Sequence, residues 1–338
     1  MSHTVVLHIG AMKSGTSFVQ QTLGANKDAL KEQGVLFPGR RWRQQVLGVI
    51  DALGQKRDGK PVKGAQGAWQ KLLDEMGEWD GTSVVSMEFL GASPREDIQR
   101  VVDSLAPARV KVVMTARDLG RNIPAMWQEG LKNTDSWTWA EFLEAVRNGD
   151  PDVPGYARKF WRHMNYPFIA RKWSEAVGPE NFWLVTVPQP GASRTLLLER
   201  FASVAGFDPA SIQPSDKGNV SVPAASAQVI RAVNERLKAD GIPSQYPKVV
   251  KHTLAKKGMV PRKEVEEPIG FEAERWLRKR ADQQVKRLEE LGVQVVGDLD
   301  ELRPLSQPGT DPSKVTTEEQ LDAALAALAY LVRVWPTP

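Results

Sequence analysis

Thr4-Val5-Val6-Leu7-His8-Ile9-Gly10-Ala11-Met12-Lys13-Ser14-Gly15-Thr16-Ser17 decides the fold. A short apolar run bounded by glycine reads as a buried strand, here residues 4–9. A glycine-bearing turn follows at once, and helix-forming residues then run from about 15 to 31. Strand, glycine turn and helix in that order make an anion cradle. Glycines let backbone N–H groups approach an anion, and the helix N-terminus adds unsatisfied donors and a positive dipole end. Lys13 supplies a full charge, and Thr16 and Ser17 supply hydroxyls. A Walker-type ATP loop would place Lys and Ser/Thr directly after its second glycine. Here Lys13 precedes Gly15 and the loop is shorter, which suits an anion but argues against ordinary Mg-ATP binding. The same residues also suit a plain strand-to-helix turn with a surface lysine.

Working outward, residues 83–87, 110–115 and 182–187 are further β-rich runs, and helical spacing fills 94–105 and 139–146 between them. Phe201 and Val204 lie on another helix, closed by Gly206. Strands alternating with helices predict an α/β fold, a P-loop-like core with a mainly parallel sheet covered by helices. From about residue 208 the chain becomes largely helical. A Pro/Ser/Asp/Gly-rich loop over 208–222 precedes helices at 224–239, 248–257 and 271–291, and 258–270 reads as an exposed excursion. The expected organisation is one domain over 1–304, with an α/β core to about 207 and a helical part from 208. Residues 305–338 follow as a linker and C-terminal docking helix.

That last helix, 317–335, opens on a capping box, Thr316 three residues before Glu319. Leu321, Leu325, Leu328, Val332 and Trp335 follow a 4-3-4-3 spacing on one stripe. The stripe is expected to dock on the body of the protein, with a homodimer contact as the alternative.

Composition narrows the function classes. The 338 residues are 41% hydrophobic, too apolar for a disordered chain, and no stretch approaches the roughly 20 apolar residues of a membrane helix. With Cys 0, disulfides, thiolate metal sites and cysteine nucleophiles are excluded. The N-terminus does not read as a signal peptide, so a cytoplasmic enzyme is expected. Lys+Arg 45 against Asp+Glu 41 gives only +4, weak grounds for nucleic acid.

Strand–GxxKSGTS–helix resembles the 5′-phosphosulfate loop of sulfotransferases that use 3′-phosphoadenosine-5′-phosphosulfate (PAPS). The resemblance implies that Lys13, Ser14, Gly15, Thr16 and Ser17 grip the 5′-phosphate and the sulfuryl group. It also implies a strand-end arginine about a hundred residues on, followed eight positions later by a serine, both on the 3′-phosphate. Arg117, closing Val110-Lys111-Val112-Val113-Met114-Thr115-Ala116, stands where that arginine belongs. Guanidinium is the group suited to bidentate phosphate binding, although a capping ion pair with Asp118 is the plainer reading. The serine is absent: Ala125 occupies its position, which leaves Arg121 or Asn122 to compensate. The block from Arg117 to Glu129 resembles a bacterial, largely actinobacterial, branch of the family, as do residues 176–180, 185–188 and 296–302.

Sulfuryl transfer to a hydroxyl needs a proton acceptor and a cation at the leaving phosphate. Lys13 suits the second task. Glu88, after the strand at 83–87 and therefore at the sheet edge where α/β proteins bind ligands, is the candidate general base. Trp127 and Gln128 are candidate acceptor contacts, and the basic residues Arg40, Arg41, Arg43, Lys56, Arg57, Lys60 and Lys63 lie in a region expected to be loop-rich. Lys256-Lys257-Gly258 and the loop Lys217–Ser221 are weaker candidates for nucleotide contacts. His8 reads as a core residue, and His163 and His252 lack a second ligand at helical spacing, so no metal is assigned. The resulting expectation is a PAPS-dependent sulfotransferase acting on a carbohydrate, glycolipid or small natural product and releasing 3′-phosphoadenosine-5′-phosphate (PAP), without metal, nucleic-acid partner or integral membrane segment. An ATP-dependent nucleotide or small-molecule kinase is the alternative.

Overall fold

The apolar runs pair side by side in one parallel sheet. Its strands are β1 (Thr4–His8), β2 (Val35–Leu36), β5 (Thr82–Ser86), β6 (Arg109–Ala116), β7 (Phe182–Thr186) and β8 (Gln294–Val296), in the order β2-β5-β1-β6-β7-β8. A two-stranded hairpin, β3 (Lys56–Arg57) with β4 (Lys60–Pro61), stands apart from it. A computed structural model describes residues 4–57, 59–149, 156–216 and 221–335, and the chain divides into two compact units.

The first unit takes residues 1–118, 163–218 and 280–303 and holds the whole sheet. Every pairing in that sheet is parallel, so every connection must leave one sheet edge and return to the other. Val6, Val84, Val113 and Val185 form the apolar layer of the central strands. Val19 and Leu23 of the first helix (Thr16–Ala25) and Leu197, Leu198 and Phe201 of the helix Leu196–Ala205 cover it. The expected α/β architecture is therefore present. The helix expected over 15–31 is two, Thr16–Ala25 and Lys27–Glu32, broken where the Asn26 side-chain amide donates to Thr22 O and Gln213 O. The basic region is not loop-rich: helices Trp42–Ala52 and Ala68–Gly77 flank the hairpin.

The strand β8 closes the sheet beside β7, and a polar clamp fixes it. Arg200 makes a forked ion pair with Glu301, at 2.6 and 3.0 Å, and the Thr186 hydroxyl donates to the same carboxylate. Burial alone would raise the Glu301 carboxyl, but Arg200 and Thr186 outweigh it and hold it below its ordinary value. The segment 296–302 thus acts as a latch on the sheet.

The second unit takes residues 119–162, 219–279 and 304–338. Its centre is aromatic: Trp127 meets Trp139 edge-on at 5.3 Å, and Trp139 meets Phe271 at 5.9 Å. The helix Ala224–Asp240 spans this unit, and Asn234 on it donates to the carbonyls of Leu131 and Asp135. The element expected at 248–257 is a wide-turned π-helix, Pro247–Met259. The segment 258–270 is less exposed than expected, since Met259 and Ile269 are buried and Arg262 is ion-paired to Glu266 and Asp322. Residues within the expected linker are likewise tied down, Gln307 and Thr310 bridging to Phe271 and Ile269.

The C-terminal helix is Thr317–Val334, with the expected capping box between Thr316 and Glu319. Its orientation differs from expectation. Ala323 and Ala327 are buried, whereas Leu321, Leu325, Leu328, Val332 and Trp335 are between 57% and 76% exposed. Small side chains let a helix approach its support closely, so the alanine face docks and the leucine stripe points away.

Candidate functional site

The turn after β1 is held between the two neighbouring strands. Ile9 N donates to Val113 O at 2.9 Å and Ala11 N to Thr115 O at 2.7 Å, which extends the pairing with β6 past the end of β1. On the other side, Met87 N donates to His8 O at 2.9 Å. Gly10 and Gly15 adopt positive φ of 36° and 80°, and a Cβ on either would collide, with Thr16 or with Leu197 respectively. Lys13 also has a left-handed backbone, φ 61°, which an L-residue with a long side chain rarely adopts. Gly15 begins the first helix and has no side chain to occupy its first amides. Thr16 and Ser17 therefore open a helix whose end faces the turn.

Glu88 stands two residues past β5, half-buried, and is held by a neighbour of the turn. Gln20, buried on the first helix, donates to Glu88 Oε2 at 3.0 Å and to Ser86 O at 3.2 Å. Gln45, also buried, accepts from Ser86 N at 2.8 Å and donates to Pro38 O. The end of β5 is thus fixed by two glutamines from two different helices. Gln20 sits on the helix that the turn begins, so the carboxylate and the cradle share one rigid support.

Arg117 directly follows β6. Tyr166, buried at the start of the helix Tyr166–Val177, donates its phenol to Arg117 O at 2.6 Å, and the same phenol hydrogen-bonds with the Ser14 side chain. Burial pushes this phenol above its ordinary range, so it stays protonated. Tyr166 therefore joins the turn to the strand end that carries Arg117. Sequence reasoning missed it. The local signal is only that of a capped helix start, Asn165 before Tyr166-Pro167.

His8 lies under the turn. Its Nδ1 is 2.7 Å from Ser86 Oγ and its Nε2 3.1 Å from Thr115 Oγ1, and its ring lies 5.0 Å from that of Phe201. Burial pushes its pKa down to about 3, so it is neutral at physiological pH. Both ring nitrogens meet protein hydroxyls, as the core reading of this residue expects. Among the described residues no group of three or more metal-ligating side chains is assembled.

The remaining candidates fall elsewhere. Trp127 and Gln128 belong to the second unit and are buried there. The Trp127 indole donates to Trp137 O at 3.0 Å, and Gln128 accepts from Val222 N at 2.9 Å. Their visible work is to hold that unit together. Arg121, Asn122 and Ala125 lie on the helix Leu119–Lys132 of the same unit. Arg40, Arg41, Arg43, Lys56, Arg57, Lys60 and Lys63 are exposed on the first unit, with Trp42 among them. Lys256 and Lys257 are exposed on the π-helix, and residues 217–220 of the candidate loop lie outside the described residues.

No protein-family model matches the chain, and no curated protein matches it. Among solved structures it is similar to a crystal structure of a sulfotransferase from Alicyclobacillus acidocaldarius. The identity is 12% and the TM-score 0.41, over 75% of this chain and 96% of that one.

Proposed function

We propose that the protein is a sulfotransferase that moves the sulfuryl group of PAPS to an acceptor hydroxyl. One observation carries the reading: a single buried phenol, Tyr166, ties Ser14 of the glycine turn to the strand end bearing Arg117. A cation in a backbone cradle and a guanidinium at the adjacent strand end are thereby mounted on one frame. That arrangement suits a nucleotide with phosphates at both ends of its ribose.

In this reading the turn binds the 5′-phosphosulfate through Lys13 and the amides of residues 15–17, and Arg117 binds the 3′-phosphate. Glu88 takes the proton of the acceptor hydroxyl as that oxygen attacks sulfur in line. The bond from sulfur to the bridging oxygen breaks, and Lys13 stabilises the charge left on PAP. Oriented charge of this kind is worth about 3 kcal/mol of transition-state stabilisation. Gln20 positions the carboxylate by occupying one of its oxygens and leaving the other for the acceptor. The acceptor is a hydroxyl of a carbohydrate, glycolipid or small natural product, and the reaction is placed in the cytoplasm.

Calorimetric titration with PAP, ADP and Mg-ATP tests the donor. The expected result is PAP binding at least tenfold tighter than either adenine nucleotide without a 3′-phosphate. Tighter binding of Mg-ATP than of PAP would sink the proposal in favour of a kinase.

A further inference from the structure

The C-terminal helix is supported on one side only. Ala323 and Ala327 face the helix Ala224–Asp240 and the π-helix, and the Tyr330 ring lies against Gly258, where a Cβ would meet it at 2.7 Å. On its other side Leu321, Leu325, Leu328, Val332 and Trp335 recur every 4, 3, 4 and 3 residues, an average of 3.5. That is the period of a helix that pairs along its length with another helix, the apolar residues taking the two seam positions of each heptad. Ala324 and Ala329 flank the seam, small enough for a second helix to come close.

The five seam side chains are contiguous along the helix and each more than half exposed. The largest patch on a typical monomer covers about 300–600 Å², and a standard interface takes about 800 Å² per partner.

We propose that this seam is a homodimer interface, pairing antiparallel with the same helix of a second copy about a two-fold axis. The charges select the direction. Glu318 and Glu319 lie at the N-terminal end of the helix and Arg333 at the C-terminal end. In an antiparallel pair Leu321 packs on Val332 and Leu325 on Leu328, and Arg333 lies within about one turn of Glu319 of the second copy. A parallel pair would set the acidic ends against each other and align the two helix dipoles unfavourably. The same charges disfavour a lipid surface as the occupant, since interfacial helices carry Lys and Arg along their polar flanks. A two-fold pairing of identical patches closes on itself, which leaves no free seam for further growth.

Sedimentation of the full chain at micromolar concentrations is expected to show a dimer. Leu325→Glu with Leu328→Glu is expected to give a monomer whose circular dichroism and cooperative unfolding persist. Should that variant not fold, Leu325→Ala with Leu328→Ala is expected to weaken association about tenfold or more, the weight of two truncated central anchors. The absence of cysteine gives a second readout. Under mild oxidation a mixture of Leu321→Cys and Val332→Cys chains is expected to cross-link, whereas neither chain alone does so, its thiols being roughly 16 Å apart along the seam. Self-cross-linking of Leu321→Cys alone would overturn the antiparallel arrangement. A monomeric wild-type chain overturns the proposal, as does a dimer that survives the glutamate substitutions. So does a wild-type monomer that floats with phosphatidylcholine or phosphatidylserine vesicles, which would assign the seam to lipid.

Discussion

Buried polar side chains behave differently in the two units. In the first, His8, Gln20, Gln45, Ser86 and Thr115 bond largely to one another and to strand ends, and all lie around the glycine turn. In the second, Gln128, Gln228 and Asn234 reach the backbone of separate segments, at Val222, Pro312, Leu131 and Asp135, and Asn234, Gln228 and Ser226 pair in addition with Tyr246, Arg231 and Glu266. Both patterns satisfy buried groups, as any stable interior must. In the first these groups gather around one turn; in the second they are spread along the helix Ala224–Asp240 and its neighbours. The C-terminal edge of a parallel sheet is where α/β proteins place their ligand crevice, whereas polar groups spread along a helix hold neighbouring segments in place.

The sharpest way to break this comparison is to remove the groups at the point of convergence. Lys13→Ala and Glu88→Gln are each expected to lower kcat by 10²–10⁴-fold, the range for a lost charge stabiliser or general base. Steady-state sulfuryl transfer measures this, and a loss under threefold for Lys13→Ala would remove it from the mechanism. Glu88→Gln should still bind PAP as the wild type does.

Acid stability is the next largest effect. His8 has its pKa depressed to about 3 in the folded protein, against an ordinary 6.5 when unfolded. The unfolded chain therefore binds more protons between those values, so the stability is fully present above about pH 6.5 and is lost as pH falls toward 3. The loss approaches 1.4 kcal/mol per pH unit from this group alone. Thermal unfolding of the wild type and His8→Gln from pH 7 to 4 should show a shallower decline in the variant.

Smaller effects separate the two units directly. Tyr166→Phe strips a buried partner from Arg117 O and Ser14, and should cost about 1–3 kcal/mol of stability while weakening PAP binding. Asn234→Ala should cost a similar 1–3 kcal/mol by removing its bonds to Leu131 O, Asp135 O and the Tyr246 phenol, yet leave PAP affinity unchanged. Equal effects of the two substitutions on PAP binding would erase the distinction.

Much of the first unit was legible because its signals are local. β1, β5, β6 and β7 are dense apolar runs, and the glycine turn has a spacing that chemistry constrains. β2 and β8 were not legible, since two or three residues carry no periodicity and owe their pairing to the neighbouring strand. The place of Glu88 after a strand was legible, but the contacts of Gln20 and Tyr166 were not, because their partners lie 68 and 49 residues away in sequence. In the second unit the stripe of the last helix was read correctly as a stripe and wrongly as the docking face. Periodicity locates an apolar face without saying what covers it, and alanine, which scores weakly on any pattern, supplied the real contact.

The left-handed backbone of Lys13 has an evolutionary consequence. A side chain in that conformation costs of order 1 kcal/mol that glycine would not incur. Lys13→Gly would relieve that backbone cost and at the same time remove the side chain's charge and its interactions. In the proposed reading that cost is accepted for the charge, so the identity of residue 13 in descendants of this chain would record use of the turn.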